Sequence, residues 1–360
     1  MVHRPHRDPR PGQDGTAPQA QAAVPAFGGR HIELFITISL LMLLAAMATA
    51  IMRLNRLFAV VVLFDIYSLL SAALFVSLGA VDVAFTEASV GAGITTILML
   101  GALSLTSRRQ RQVSWRRHLP AMAVTLAVGA LLLFGLSDLP PFGDPAAPAF
   151  GHLYARYVFA SPREIGIPNM VTSILASYRG YDTLGETTVI FAAAVTVAGL
   201  MGGGLMGGER DASTARVDGM QHHLILRTNA RLLMPLILLF ALYVQFHGDY
   251  GPGGGFQAGV IFAGGLILYG LVFGIDSARS VVPPKLVRVL CASGLTLYIL
   301  VGLWGIVAGG NFLDYGVLAG DPVHGQHLGI ALIEIGVGTT VAAAMIGLFY
   351  AYAGYEPGRD

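Results

Sequence analysis

The sequence predicts an all-α polytopic membrane protein with about nine transmembrane helices and a few short interfacial or re-entrant helices. Two observations carry that reading. Of 360 residues, 54% are hydrophobic and only 12% are charged, and the apolar residues fall into runs of the length needed to cross about 30 Å of hydrocarbon. The runs lie at about 33-53, 57-79, 83-105, 119-137, 186-207, 230-246, 255-275, 286-309 and 328-352. Little chain is left over for a soluble domain.

In chain order, residues 1-32 are rich in Pro, Gly, Ala, Gln and Arg without apolar periodicity and read as a disordered tail. The first apolar run is too long for the core of a cleaved signal and is read as an anchor. Residues 33-137 then carry four spans joined by short connections. Residues 138-207 carry a long polar segment and one span, and residues 208-360 a polar linker and four spans. In the long segment, "SPRE" (161 to 164) offers Ser161 as a helix N-cap, with Pro162 at the first helical position and Glu164 three residues after the cap. Pro168 ends that turn. Asn169 can cap a second short helix whose Met170, Val171, Ile174, Leu175 and Tyr178 share one face, too short to span and suited to the interface or a re-entrant position. "TLGE" (183 to 186) has the form of a capping box and is expected to start the fifth span.

Several function classes drop out early. A net charge of +1 gives no case for nucleic acid, and the single Cys291, inside a predicted span, allows neither an internal disulfide nor a thiolate metal cage. No nucleophile elbow, zinc-protease helix or phosphate loop occurs, so the chain is read as part of a transporter and not an enzyme, with no cofactor. His247, Asp249, Asp321, His324 and His327 supply oxygen and imidazole groups near one face, but without a firm ligand spacing, and no metal is assigned.

Carboxylates inside apolar spans are the sharper signal. Asp65, Glu87 and Glu334 each stand within a span, where an acidic residue costs about 2.5 to 3.5 kcal/mol on insertion scales and so faces a wet cavity, a partner or a proton route. For each a structural reading stands beside the functional one. Glu87 is close enough to the start of its helix to complement the helix dipole. Asp65 has Tyr67 and Ser68 as local hydrogen-bond partners. Glu334 lies among Gly329, Gly336 and Gly338, which permit tight helix packing and an inter-subunit contact. Asp182 and Glu186, flanked by Arg179, suit capping and a salt bridge at the membrane rim.

Alternation of the spans puts 15 of the 22 lysines and arginines on one side, including the run "RRQRQVSWRR" (108 to 117). By the positive-inside rule that side is cytoplasmic, with the N-terminus outside and the C-terminus inside.

The stretch "HGDYGPGGGFQAGVIFAGGLILYGLVFG", preceded by "LILRTNARLLMPLILLFALYVQF", resembles the B-type component of Mrp-type multisubunit sodium/proton antiporters. Its marks are Arg227 and Thr228, Pro235 inside the next span, His247 at the turn, then Pro252, Gly253, Gly254, Gly255 and Phe256. The turn departs from the family's commoner order, with His before Gly and Asp249 following. The likeness extends through "HLGIALIEIGVGTTVAAAMIGLFY" (327 to 350). "DVAFTEASVGAGITTILML" (82 to 100) resembles the D-type component of membrane-bound hydrogenases, which is also the C-terminal region of the large A-type component of the antiporters. "NMVTSILASYRGYDTLGETTVIFAA" (169 to 193) resembles the adjoining E-type segment.

Together these resemblances imply a fusion of the end of the A-type component with the B-type component, in the cell membrane, acting on sodium ions and protons. It would assemble with other antiporter subunits that supply the proton-pumping module. The carry-over points to Glu87 and Asp82 in the D-type motif and to Arg179, Asp182 and Glu186 in the E-type motif. Asp65 and Glu334 join them as ion-pathway candidates, and the B-type turn is read chiefly as a packing joint between helices. Two alternatives stay open: a membrane component of an ion-translocating hydrogenase or related complex, and a structural spacer whose carboxylates only bond helices.

Overall fold

The computed structural model describes residues 27–107, 109–110, 115–141, 144–201 and 223–353. Among these, nine helices are long and apolar enough to cross a membrane. They are α1 (Phe27–Arg53), α2 (Leu57–Ser77), α3 (Val81–Ser104), α4 (Trp115–Leu136), α5 (Gly180–Leu200), α6 (Leu224–His247), α7 (Gly255–Phe273), α8 (Pro284–Val307) and α9 (Pro322–Ala353). No strand occurs among the described residues beyond one bridge between Arg56 and Arg109. Most of the predicted tail lies outside the described residues, but its last six join α1, which starts at Phe27.

Helix α9 organises the rest, packing on α8, α7 and α5 and more lightly on the second half of α3. Glycine makes those approaches close. A Cβ on Gly294 of α8 would stand 2.3 Å from Gly336 O, and one on Gly259 of α7 would stand 2.6 Å from Gly338 O. In a bilayer, where lipid tails are as apolar as leucine, such van der Waals contact is a main source of helix association. The fully buried Ile330, Ile333 and Val341 of α9 meet Ile267 of α7 and Val301 and Tyr298 of α8 in the same core. By contrast, α1 packs on α2, and among the described residues no substantial helix packing involves α4.

At 32 residues, α9 is about 48 Å long by its rise per residue, well over the hydrocarbon thickness. It starts six residues before the expected 328. Its first turns are wrapped by loops: a Cβ on Gly329 would stand 2.3 Å from Cγ of Tyr315, in the α8–α9 connection, and one on Gly166 would stand 2.4 Å from Val323. The long segment between α4 and α5 therefore belongs to a cap on this end of the bundle.

Within that cap, Asn169 caps Met170–Thr172 as expected, accepting from the amides of Val171 and Thr172. Ser161 does not cap. The chain arrives in π-helical turns (Arg156–Ala160), so Ala160 takes the cap position in helical geometry and Ser161 Oγ is buried with no hydrogen-bond partner. The apolar face expected after Asn169 is only partly kept, because Ser173–Tyr178 is π-helical and shifts the register. Thr172, Ser173 and Ala176 turn inward, while Met170 and Leu175 are exposed. The cap is tied by an ion pair of Arg156 with Glu164 (3.2 Å) and by the Tyr178 hydroxyl donating to Glu164 (2.5 Å). That hydrogen bond holds Glu164 below the ordinary carboxylate range, and burial together with the same bond pushes Tyr178 up to about 12.

The connections alternate ends, as the span count requires. Asn169 of the cap meets the α6–α7 turn, and Tyr298, late in α8, donates to Gly180 O at the start of α5. At the opposite end Gln110 N donates to Asn55 O.

Candidate functional site

The α6–α7 turn is the centre of the site, and its backbone explains its composition. Helix α6 carries Pro235, which removes one amide donor toward Arg231 O, and it ends at His247, stacked on Tyr243 at 4.8 Å. The amides of Tyr250 and Gly251 return to His247 O. Gly254 then adopts φ +118°, a conformation open to glycine and strained for other residues, and donates to Val244 O at 3.1 Å. Here the chain reverses against its own preceding helix, since a Cβ on Gly253 would lie 2.7 Å from Val244 O. Gly255 opens α7 in backbone contact with α9: its Cβ would stand 2.1 Å from Glu334 O. Phe256 packs against the core, and Pro252 is exposed at the tip.

Glu334 occupies the space those missing side chains leave. Its carboxylate oxygens lie 3.1 Å from where a Gly254 Cβ would stand and 3.3 Å from where a Gly248 Cβ would stand. The turn is thus both a packing joint and the wall of a carboxylate site. Glu334 sits at the N-terminus of α7, where aligned peptide dipoles present partial positive charge to an anion. Two turns earlier on the same face of α9, His327 pairs with Asp249 at 3.8 Å. Burial raises the Asp249 carboxyl above its ordinary value, and His327 opposes that shift.

From Glu334 a seam of polar groups crosses to the front helices. Gln257, buried in the first turn of α7, donates to Thr86 Oγ1 of α3 at 2.7 Å. Glu87 is the next residue. Its Oε1 and Ser68 Oγ of α2 both lie over Gly91, 2.6 and 2.7 Å from where its Cβ would stand. Immediately after, Val90–Ile94 is π-helical within an otherwise α-helical span, a local widening that recurs at functional sites. Deeper in, Thr96 of α3 donates to Asp65 of α2 at 3.1 Å. Asp65 therefore bonds across the helix pair and not to Tyr67 or Ser68, because Ser68 faces Glu87. At the cap end of the seam the two hydrogens of Asn169 Nδ2 are shared among Asp82 (3.2 Å), Gly248 O (3.0 Å) and Gly251 O (2.9 Å).

The E-type residues form a second group. Arg179 and Asp182 pair on the exposed rim of α5, as a salt bridge there requires. Glu186 lies in the same helix, exposed on its surface. The "TLGE" cap is not formed: α5 starts at Gly180, six residues before the expected start. Thr183 Oγ1 donates to Leu175 O, since the preceding π-helical segment delivers the chain already turning. His324 pairs with Asp321 at 3.6 Å, apart from the Asp249–His327 pair. Among the described residues no three His, Cys, Asp or Glu side chains converge as a metal site would require.

Sequence reading therefore found every carboxylate of the seam but missed its neutral links. Gln257, Thr86 and Thr96 are each legible as polar groups in apolar runs, and a buried polar group requires a partner. Asn169 was read as a local cap only, whereas it ties three segments.

Nine helices among the described residues are long and apolar enough to span a membrane, and with the line of half-buried polar groups between several of them they define an integral membrane protein. Residues 225–347 match the family described as the domain related to the MnhB subunit of the Na+/H+ antiporter, and residues 40–108 match the family of the MBH D-type component. The chain is 32% identical over 127 residues to the B-type component of the Na(+)/H(+) antiporter of Alkalihalophilus pseudofirmus, covering 32% of this chain and 88% of that one. It is 36% identical over 92 residues to the corresponding Bacillus subtilis protein, across 26% of this chain and 64% of the relative. Its fold is similar to a chain of the Mrp complex from Dietzia sp., with a TM-score of 0.71 at 27% identity over 89% of this chain and 35% of that one. The chain belongs to the MnhB family of Na+/H+ antiporter components, and joins to it a region of the MbhD family.

Proposed function

We propose that this chain is an integral membrane component of a multisubunit monovalent cation (sodium)/proton antiporter, contributing a transverse ion route and working only with partner subunits that supply the proton-pumping module. One observation carries the proposal. Asp65, Glu87 and Glu334, remote in sequence, are strung along the α2–α3, α3–α7 and α7–α9 interfaces with Thr96, Ser68, Thr86 and Gln257 between them. Isolated structural carboxylates would have no reason to line up. Each can load and release a proton, and the neutral side chains between them offer hydroxyl and amide groups for hydrogen-bonded transfer. Asp82 stands at the outer mouth, bonded to Asn169. Arg179, Asp182 and Glu186 order the entry to α5.

The unit 33-137 is assigned to the D-type region, 138-207 to the E-type segment and 208-360 to the B-type domain. The end bearing the α6–α7 turn and Asn169 is assigned to the outside, with the C-terminus cytoplasmic; the basic residues at the opposite end support this.

The test is cation/proton exchange in vesicles bearing the whole complex. Glu87→Gln and Glu334→Gln keep hydrogen-bonding capacity and remove titration, so each is expected to abolish exchange while the partners still co-purify. Wild-type exchange in both variants would overturn the proposal, and loss of co-purification in both would favour the structural-spacer reading. The match of residues 40–108 to the MbhD family favours a second parent complex, of hydrogenase type. Co-purification of nickel-iron and iron-sulfur proteins in place of antiporter components would select it.

A further inference from the structure

At the end of the bundle opposite the α6–α7 turn, two arginines share one aromatic ring. Arg227 and Arg231, one turn apart on α6, place their guanidinium carbons 5.8 and 5.5 Å from the ring centroid of Phe273, the last residue of α7. The two helices are pinned together at their other ends, where Gly254 N donates to Val244 O, so depth along both is measured from one point. By the helical rise, Arg231 Cα lies about 20 Å from that point and Phe273 about 28 Å. Side chains lean toward the N-terminus of their helix, so Arg231 carries its charge away from the bilayer centre to the level of the ring. That level is the edge of about 30 Å of hydrocarbon, where the phosphate layer of a bilayer begins.

Arg231 is short of negative charge there. An aromatic ring attracts a guanidinium through its quadrupole but does not neutralise it. Among the described residues no carboxylate pairs with Arg231, and Asp276, exposed in the short helix Ile275–Val281 that follows α7, forms no ion pair. Arg227 is half-buried and has a further interaction of its own. Arg279 of the short helix, over Tyr350 at 5.7 Å, adds another positive charge to this end. A charge held at the hydrocarbon edge is costly without a counter-charge. Beside the pair, α6 exposes Leu232, Leu236 and Leu239, an i, i+4, i+7 row that runs from the level of the ring toward the middle of the membrane. Positive charge at the depth of phosphates, next to an apolar row at the depth of acyl chains, matches one class of molecule, an anionic phospholipid.

We propose that Arg231 and Arg227, with Phe273 as the platform between them, bind the phosphate of an anionic phospholipid in the leaflet at this end, with an acyl chain laid along Leu232, Leu236 and Leu239. A planar guanidinium presents paired N–H donors that match two phosphate oxygens, and basic pockets between spanning helices hold anionic headgroups in this way. A headgroup without its own cation leaves net negative charge for the second arginine. A zwitterionic lipid carries an ammonium beside its phosphate and gains less. The lipid seats against α6 and α7 together, at the end remote from the Glu334 joint, and fixes the depth of the two helices whose other ends wall that joint. The site is separate from the carboxylate seam and does not depend on the seam being a transport route.

The experiment places the assembled complex in phosphatidylcholine vesicles doped with a photoactivatable phosphatidylglycerol whose diazirine sits in the acyl chain next to the glycerol. Peptides from residues 224–239 should be labelled. Excess phosphatidylglycerol should compete, whereas excess phosphatidylcholine and inorganic phosphate should not. Arg231→Gln is expected to lower labelling about fivefold, and Arg231→Gln with Arg227→Gln about twenty-fivefold, the worth of one and of two basic residues at a membrane surface. Phe273→Leu keeps an apolar contact and removes the platform, so it should weaken labelling as well. Arg53→Gln, at the same end but on α1, should leave labelling at the wild-type level. Co-purification of the partners checks that each variant assembles, and the single Arg231→Gln carries the test if the double variant does not. Wild-type labelling in Arg231→Gln, or equal competition by phosphatidylcholine, would reduce the contact to ordinary surrounding lipid and overturn the proposal. Competition by inorganic phosphate would overturn the lipid as the source of the phosphate. Absence of labelling in the wild type would overturn it too, leaving the arginines to an acidic surface of a partner protein.

Discussion

Gly255 shows how much one absent atom decides here. Any side chain at this position would drive its Cβ into the Glu334 carbonyl at 2.1 Å, and backbone on both sides leaves nothing flexible to yield. Gly255→Ala should therefore cost at least the 1 to 3 kcal/mol typical of overpacking, about as much as a core deletion, and lower the melting temperature of the purified complex in detergent. Gly264, in the same helix with nothing within 4 Å of its Cβ position, is the matched control. Its change to alanine should be neutral or slightly stabilising. Equal effects at the two positions would contradict the backbone contact. Asp249 makes a second single-residue case, through pH. Its carboxyl is raised by burial, so the folded state holds that proton to higher pH than the unfolded chain. Stability from this residue is present below its unfolded value and declines as pH climbs through the folded one. Asp249→Asn should flatten that decline, giving a melting-temperature advantage over wild type that grows from acid toward neutral pH. An advantage that shrinks over the same range would refute it.

At the scale of elements, what the sequence disclosed depended on whether the signal was local. Hydrophobic run length located all nine spans, because crossing a bilayer is a property of one segment at a time. The capping motifs at Ser161 and "TLGE" failed for a common reason: each is preceded by chain already in helical turns, so a side-chain cap had no orphan amides to satisfy. The π-helical stretch Val90–Ile94 left no mark that a 3.6-residue pattern could register. The glycines of α7 and α9 were visible, yet which of them meet was not, since the contact joins residues about eighty positions apart. Asn169 illustrates the same limit. Its cap was legible, whereas its bonds to Asp82, Gly248 O and Gly251 O join elements that only the fold brings together. Removing the cap together with the two N–H donors shared among those three acceptors should cost more than a cap alone, which is worth about 1 kcal/mol. Asn169→Ala is thus expected to loosen the α6–α7 turn from the cap, exposing it to protease while leaving the α7–α9 packing in place. Wild-type protease resistance would show that the hub is dispensable.

For the molecule as a whole, the unequal packing of its two halves sets the last expectation. Helices α7, α8 and α9 bury much of their surface on one another, whereas α4 exposes Leu131, Leu132, Leu133 and Phe134, four consecutive residues that point in all directions around a helix. Nothing in the hydrophobic effect holds such a helix in place within lipid; close packing against another protein surface does. The exposed Glu186 on α5 argues the same way, since a carboxylate facing hydrocarbon is expensive unless a polar partner covers it. The front and side of the chain are therefore the surfaces that assembly should cover. Cys291 is the chain's single cysteine and is buried, so an introduced cysteine would be a clean reporter. Leu131→Cys should cross-link to a partner protein through a short bifunctional thiol–amine or photoactivated reagent in the assembled complex, and should give no such product when the chain is expressed alone. A cysteine replacing Val341, at the centre of α9 with no exposed surface, should give none in either case. Failure of Leu131→Cys to cross-link in the intact complex, with normal labelling by a membrane-permeant maleimide, would mean that α4 faces lipid alone, and that the partner surface lies elsewhere on the chain.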